Sequence, residues 1–159
     1  MNFSKPATPS SIRLILAEDH TLLRRGMAQF LGQEPDIEIV GEASDGEAAV
    51  KLASQLLPDI VIMDLGMPKM SGLEATRAIR HRLPQVRIIG LSMYEEKERA
   101  DAMLEAGASA YLTKTKSAQE LIATIRSCMK TEMVMARGSR AVKSRAPDVG
   151  SRNVTVSPS

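Results

Sequence analysis

Hydrophobic and polar positions along this chain alternate between two periods, one typical of buried strands and one typical of amphipathic helices. Short apolar runs of strand length lie at Ile12–Ala17, Ile37–Val40, Asp59–Met63, Val86–Leu91 and Ala108–Leu112. Between these runs, apolar residues recur at helical spacing. Continuous apolar runs are typical of strands buried on both faces of a sheet, because a half-exposed strand would alternate with polar residues. The pattern therefore predicts an α/β fold with helices on both faces of a parallel sheet.

Helix-boundary signals support the same alternation. The predicted helices start near Thr21 and near Ala49, after an Asp45-Gly46 turn, and then span about Leu73–His81, Tyr94–Ala106 and the segment after Ser117. Pro58 and Gly107 end the second and the fourth helix. Ser117 and Glu120 have the three-residue spacing of a capping box. Because crossovers between parallel strands are right-handed, these units predict a doubly wound five-stranded sheet.

Composition outlines three segments and a protein class. Of the 159 residues, 43% are hydrophobic and 25% are charged, which is typical of a soluble globular protein. Residues 1–11 are predicted to be a flexible lead, 12–130 a globular domain, and 131–159 a largely disordered basic tail in which Thr131–Met135 prolong the last helix. No run approaches the roughly 20 apolar residues that span a membrane. We therefore expect a cytoplasmic chain without membrane contact.

Charged and polar residues follow four of the predicted strands at the end where doubly wound sheets bind ligands. The first strand runs into Glu18 and Asp19, the third ends at Asp64, the fourth at Ser92 and the fifth at Lys114. Three crowded carboxylates require a cation, and Mg²⁺ suits them because it is a hard ion that prefers oxygen ligands. An aspartate can also accept a phosphoryl group, whose oxygens then need positive charge and hydrogen-bond donors. Lys114 offers the charge and Ser92 a hydroxyl.

Each of these residues also has an ordinary structural explanation. Asp19 and Asp64 could cap the helices that follow them, and a lone lysine such as Lys114 is usually a solvated surface residue. Ser92 taken alone carries almost no information. The functional interpretation depends on all of them falling at strand ends of one sheet, because independent coincidence at four such ends is improbable.

The segment from about Ile12 to Met129 resembles the receiver domain of two-component response regulators. The matching segments are ILAEDH, DIVIMDLGMPKMSGLEATRAIR, RIIGLSMY and AGASAYLTK. The resemblance implies a flavodoxin-like sheet with strand order 2-1-3-4-5. The segments AEDHTLLRRGM, DLGMP and AYLTKTKSAQELIATIR are most similar to the NarL/FixJ (LuxR-type) class, whose members carry a C-terminal helix-turn-helix. Residues 131–159 are too short and too aperiodic for that module, so a stand-alone receiver and a truncated transcription regulator both stay open.

The same resemblance implies a role for each candidate site residue. It implies that Asp64 is the phosphoacceptor. The implied Mg²⁺ ligands are Glu18, Asp19, Asp64 and the Gly66 carbonyl. The resemblance further implies that the phosphoryl group is contacted by Ser92 and Lys114, and that the aromatic switch residue is Tyr111. Two departures concern Glu18, where many relatives have aspartate, and Thr115, where many have proline after the lysine.

The implied function is a signalling switch that catalyses only its own phosphoryl transfer and dephosphorylation. The implied partner is a sensor histidine kinase or a phosphotransfer protein, and the responding surface is formed by the fourth helix, fifth strand and fifth helix. Homodimerisation is compatible with the resemblance, whereas we do not expect DNA binding by this chain, since its body is near neutral and only its tail is basic.

Two further classes of function were weighed against this switch. The first is a receiver-like docking or dimerisation module that never uses phosphate, and the intact set of acids, Ser92 and Lys114 argues against it. The second is an enzyme. A haloacid-dehalogenase-like phosphatase requires a second aspartate two positions after Asp64, where this chain has Gly66, and a dinucleotide-binding fold requires a G-x-G-x-x-G segment that is absent after the first strand.

Overall fold

The fold is given by a computed structural model that describes the backbone of residues 11–138 and the side chains of residues 11–130. Strands and helices alternate strictly along this part of the chain. In order they are β1 (Ile12–Ala17), α1 (Thr21–Gly32), β2 (Ile37–Ala43), α2 (Gly46–Leu56), β3 (Ile60–Asp64), α3 (Gly72–Arg82), β4 (Arg87–Ser92), α4 (Lys97–Glu105), β5 (Ala110–Thr113) and α5 (Ala118–Gly138). The alternation predicted from hydrophobic periodicity is thus present.

All strand pairs of the sheet are parallel, and the strand order is β2-β1-β3-β4-β5. The predicted fold class and strand order are confirmed. At the centre of the sheet, Leu16 pairs with Ile62 and Ile62 with Ile89. Because every strand runs in the same direction, the residues that follow β1, β3, β4 and β5 lie along one edge of the sheet.

The core consists of aliphatic side chains from the central strands and the inner faces of the helices. Every residue of β3 is buried, as the continuous apolar run predicts for a central parallel strand. Fully buried large side chains include Leu14, Ile15, Ile62, Ile88 and Met103. Among the described residues, none of the largest fully buried side chains is aromatic.

Three element boundaries differ from the sequence expectation by three residues, and several others by one or two. β2 continues beyond Val40 because Gly41 and Glu42 still pair with β1. α2 begins at Gly46, since the Asp45 side chain accepts a hydrogen bond from the Ala48 N–H at 2.8 Å and caps the helix. α4 begins at Lys97 rather than at Tyr94, because Glu96, at the N-cap position, has an extended backbone.

The residues that cap α1 and α3 show whether Asp19 and Asp64 serve as helix caps. α3 is capped by Ser71, whose side chain forms a capping box with Glu74. α1 follows His20, the residue at its N-cap position. Neither Asp64 nor Asp19 is therefore a helix cap, and their carboxylates need another explanation. The predicted capping box between Ser117 and Glu120 is present.

The chain divides into two compact units, of which the first ends at Ile125. All residues of the candidate site lie in the first unit, and the described part of the second unit is residues 126–138, the remainder of α5. α5 thus extends past the predicted Thr131–Met135, while residues 1–10 of the predicted lead and 139–159 of the predicted tail lie outside the described residues. Among the described residues, no helix is both long and apolar enough to cross a bilayer.

Candidate functional site

Asp64 is the last residue of β3, and its carboxylate lies in a buried position. The residue is 4% exposed and pairs with Leu91 of the neighbouring strand. The start of α3 packs tightly against it, since a Cβ added at Gly72 would lie 2.2 Å from the Asp64 carbonyl oxygen. Glycine is therefore required at position 72 for the helix to approach the strand end this closely.

Lys114 joins two buried carboxylates. Its Nζ lies 3.0 Å from Asp64 Oδ1 and 2.8 Å from Glu18 Oε1, and the Lys114 side chain is only 6% exposed. The Lys114 backbone N–H donates to the Ser92 carbonyl at 2.7 Å, which extends the pairing of β5 with β4 beyond Thr113. Sheet pairing thus aims the lysine along the carboxyl edge, where side chains from β1, β3 and β5 meet.

Glu18 is completely buried, and both of its carboxylate oxygens have neighbours. Oε1 faces Lys114, whereas Oε2 accepts the His20 backbone N–H at 3.0 Å and lies 3.1 Å from the His20 Nδ1. The Glu18 backbone N–H donates to the Ala43 carbonyl at 2.9 Å. A buried carboxylate is tolerated here because charge-assisted hydrogen bonds replace its water.

Burial and ion pairing shift the pKa values of these three groups in different directions. Burial raises the pKa of Asp64 to about 6, with Lys114 opposing the shift and the charge of Glu18 adding to it. Burial alone would raise the pKa of Glu18, but hydrogen bonds from Lys114 and His20 outweigh it and hold that pKa below its ordinary value. Burial alone would lower the pKa of Lys114, but hydrogen bonds to Glu18 and Asp64 raise it. At neutral pH the site therefore contains a charged lysine and predominantly ionised carboxylates.

The site fits a hard divalent cation such as Mg²⁺. Glu18, Asp19, His20 and Asp64 each offer one ligand atom, and these atoms all lie within 4.8 Å of one another. Among the described residues, the buried Asp19 Oδ1 has no hydrogen-bond partner, which leaves it available to a cation. Carboxylate oxygens are the ligands that Mg²⁺ prefers, whereas the His20 imidazole is already engaged with Glu18.

Ser92 is the last residue of β4 and Tyr111 lies in β5, and both side chains contact the loop after β4. The Tyr94 backbone N–H donates to Ser92 Oγ at 3.2 Å, and the Tyr111 hydroxyl donates to the Tyr94 carbonyl at 2.8 Å. The Tyr111 ring packs near Gly90, where an added Cβ would lie 3.4 Å from it. The two predicted switch residues are thus linked through the backbone of one residue, Tyr94.

Gly66 lies in the exposed loop that follows Asp64. Its backbone N–H points back to Asp64 Oδ1 at a long 3.4 Å. The loop is anchored on α2, because a Cβ at Gly46 would lie 2.0 Å from the Met70 carbonyl oxygen. This close approach holds the loop that contains Gly66 against the start of α2.

Two neighbours of the site are not among the residues that the sequence predicts for it. His20 lies in the loop between β1 and α1, and its ring and its backbone N–H both contact Glu18. Arg24 lies on α1, and its Nη1 donates to the Glu18 carbonyl at 2.7 Å. The proximity of His20 to the acid pair was a usable signal, whereas nothing in the sequence pattern pointed to Arg24.

Comparison with known proteins identifies the family. The response regulator receiver domain model matches residues 14–126. The transcriptional regulatory protein LiaR of Bacillus subtilis (strain 168) is 45% identical over 121 residues, covering 76% of this chain and 57% of LiaR. The response regulator protein VraR of Staphylococcus aureus (strain NCTC 8325 / PS 47) is 36% identical over 124 residues, covering 78% of this chain and 59% of VraR. The chain therefore spans less than two thirds of the length of these relatives.

Solved structures give the same result. The signal receiver domain of the response regulator NarL from Mycobacterium tuberculosis has a TM-score of 0.74 at 31% identity, covering 77% of this chain and 98% of that one. A two-component response regulator of the LuxR family from Aurantimonas sp. SI85-9A1 has a TM-score of 0.74 at 36% identity, covering 77% of this chain and 87% of that one. Together with the sheet order and the acidic edge, these matches show that the chain belongs to the response regulator receiver domain family.

Proposed function

We propose that this receiver domain is a phosphorylation-dependent switch and that Asp64 is its phosphoacceptor. The observation that carries the proposal is the buried Lys114 Nζ, which lies within 3.0 Å of carboxylate oxygens of both Asp64 and Glu18. A buried lysine held at a strand-end aspartate supplies positive charge where a transferred phosphoryl group would place its oxygens. A purely structural site would not need a second buried acid beside the same lysine.

The proposed reaction is phosphoryl transfer from a phosphohistidine of a partner kinase or phosphotransfer protein. The bond between phosphorus and the histidine nitrogen breaks, and a bond between phosphorus and a carboxylate oxygen of Asp64 forms. Asp64 must be ionised to attack, and its pKa of about 6 leaves it mostly ionised at neutral pH. Lys114 then pairs with the transferred group, and Ser92 donates its hydroxyl after leaving the Tyr94 N–H.

Mg²⁺ is the proposed cofactor of the transfer. The residues that would hold it are Glu18, Asp19, Asp64 and the carbonyl of Gly66. When bound, the ion supplies the positive charge that offsets the crowded carboxylates and the incoming phosphoryl oxygens. Asp19 Oδ1 supports this assignment, because it is buried without a hydrogen bond from the described residues, and such a carboxylate oxygen is unfavourable unless a cation faces it.

The proposed output is a change at the surface formed by α4 and β5. Phosphorylation adds about −1.5 to −2 charge at one point. If Ser92 turns to that charge, the Tyr94 N–H loses its acceptor, and the Tyr94 carbonyl that holds the Tyr111 hydroxyl moves with it. The domain then has two states biased by one local charge event.

The proposed pathway role follows from the relatives. LiaR is named a transcriptional regulatory protein, and the Aurantimonas structure is named a two-component response regulator. We propose that this receiver belongs to a two-component pathway that regulates transcription, and that its direct contact is with protein rather than with DNA.

Incubation of the full chain with acetyl phosphate and Mg²⁺, followed by intact mass measurement, tests the phosphoacceptor. We expect the wild type to gain the mass of one phosphoryl group and Asp64→Asn to gain none. Asp101→Asn is the matched control, since Asp101 is an exposed aspartate on α4, and it should be phosphorylated like the wild type. Omission of Mg²⁺ should abolish the gain in every variant.

Two results would contradict the proposal. Undiminished phosphorylation of Asp64→Asn would assign the phosphoryl group to another residue. No phosphorylation of the wild type by acetyl phosphate or by a phosphotransfer protein would favour the phosphate-independent docking module instead.

A further inference from the structure

Arg24 links the acidic loop after β1 to the end of β2. Its Nη1 donates to the Glu18 carbonyl oxygen at 2.7 Å, and its Nε donates to Glu42 Oε1 at 3.0 Å. The Arg24 side chain is 16% exposed, whereas the next residue, Arg25, is exposed on the surface of α1. One guanidinium thus bridges a backbone oxygen of the candidate site and a carboxylate outside it.

The planar fork of arginine explains how it makes both contacts. Guanidinium N–H groups point in fixed directions, so one head group can donate to two acceptors without losing further side-chain freedom. The Glu42 carboxylate orients the fork by a charge-assisted hydrogen bond, which leaves Nη1 directed at Glu18. The Arg24 backbone N–H also donates to the His20 carbonyl at 2.9 Å, which ties the residue to the first turn of α1.

The contact at the Glu18 carbonyl acts on Asp19 through the peptide bond. Since the peptide unit is planar, the direction of the Glu18 carbonyl also sets the direction of the Asp19 N–H and the position of its Cα. Asp19 is the acid whose buried Oδ1 lacks a hydrogen-bond partner within the described part of the chain. Its one ion-pair contact within that loop is with the Nδ1 of the largely exposed His20 ring, at a long 3.6 Å, so the position of this oxygen depends mainly on the backbone.

We infer that Arg24 is a positioning residue for the divalent-cation site, which it serves by holding the Glu18–Asp19 peptide so that the Asp19 carboxylate faces the cation. The inference rests on the proposed function, which puts Mg²⁺ between Asp19 and Asp64. Arg24 itself touches neither the cation nor a reacting atom. Glu42 is the partner that orients Arg24.

Mg²⁺ affinity of the unphosphorylated protein tests this role. The full chain, labelled with ¹⁵N, is titrated with MgCl₂, and the dissociation constant is read from amide chemical shifts while thermal unfolding is recorded in parallel. We expect Arg24→Gln to raise the dissociation constant about tenfold, the lower end of the effect of removing groups that orient metal ligands. Arg25→Gln, the matched control, should leave it unchanged, and Glu42→Ala should raise it by less than Arg24→Gln.

The possible results separate the inference from the proposed function. If Arg24→Gln loses stability but binds Mg²⁺ as the wild type does, Arg24 is only a structural brace and the inference is overturned, while the proposed function stands. If the wild type binds no Mg²⁺, the metal site and the inference fail together. If Arg24→Gln does not fold, Glu42→Ala decides, because it retains Arg24 but removes the acceptor that orients its guanidinium, and an unchanged dissociation constant there overturns the inference.

Discussion

The carboxyl edge of the sheet and helix α4 both hold ion pairs, but in opposite environments. At the sheet edge, Lys114 pairs with Asp64 at 3.0 Å, and both side chains are only 6% exposed. On α4, Lys97 pairs with Asp101 at 2.6 Å, with side chains that are 85% and 55% exposed. The exposed pair has the shorter distance, so distance alone does not indicate which pair contributes more to stability.

The difference teaches what each pair does for the protein. In an exposed pair within one helix, each charged group exchanges contacts with water for contacts with its partner, so the pair adds little to the free energy of unfolding. A buried pair has lost its water, so removing one member leaves the other uncompensated. The pKa of Asp64 rises to about 6 because burial disfavours its charge even with Lys114 beside it. The sheet edge therefore contains negative charge that is unfavourable in the absence of a bound cation.

The largest expected effect is that of Lys114→Met. The substitution keeps an unbranched apolar stem but leaves Glu18 and Asp64 buried without their shared cation. We expect the free energy of unfolding to fall by about 3 kcal/mol at pH 7.5 in EDTA, as for other buried pairs that lose one partner. Urea unfolding measures it, with Lys97→Met as the control that should leave the midpoint unchanged. An equal loss of stability in Lys114→Met and Lys97→Met would contradict the proposed difference between the buried pair at the sheet edge and the exposed pair on α4.

An effect of opposite sign and at most similar size is expected for Asp64→Asn. Because the native pKa of Asp64 is raised to about 6, the native state binds more protons than the unfolded state between about pH 4 and pH 6, and the charged carboxylate destabilises the fold above that window. We therefore expect Asp64→Asn to increase the free energy of unfolding by about 3 kcal/mol at pH 7.5 without Mg²⁺, since the rise is about two pKa units at about 1.4 kcal/mol each. The gain should vanish as the pH falls through 6 towards 4.

Urea unfolding of both proteins at several pH values between 4 and 8 checks this sign. A gain that is independent of pH would mean that asparagine stabilises the site by packing or hydrogen bonding rather than by removing charge. Excess Mg²⁺ should also reduce the gain, since a cation bound by the native wild type stabilises it.

The smallest expected effect concerns the α4 pair. A double-mutant cycle with Lys97→Ala and Asp101→Ala should give additive changes in the melting temperature, because both side chains are largely in water. The same cycle repeated at high salt should give the same result. A clear, salt-sensitive coupling energy between Lys97 and Asp101 would show that the exposed pair stabilises the protein more than its exposure to water predicts.

Much of the fold could be predicted from the sequence because the deciding signals are local. Continuous apolar runs determined the strands, and the change to helical spacing determined the helices between them. Boundaries were less certain where local signals were weak. The α4 start at Lys97 was missed, because Tyr94 and the two acids that follow it fit a helical pattern although the helix begins only after Glu96, whose backbone is extended. The extension of β2 to Ala43 was missed because pairing with β1 decides it.

The candidate site also has features that the sequence determines and features that only the tertiary structure determines. The sequence by itself determined that acids, a hydroxyl and a lysine follow the strands of one parallel sheet, because side chains at strand ends are ordered along the chain. Only the tertiary structure decided that Lys114 lies between Asp64 and Glu18, that Tyr94 links Ser92 to Tyr111, and that Arg24 reaches the Glu18 carbonyl. These contacts join residues of different elements, so strand order, register and burial determine them, and no local pattern of residues contains that information.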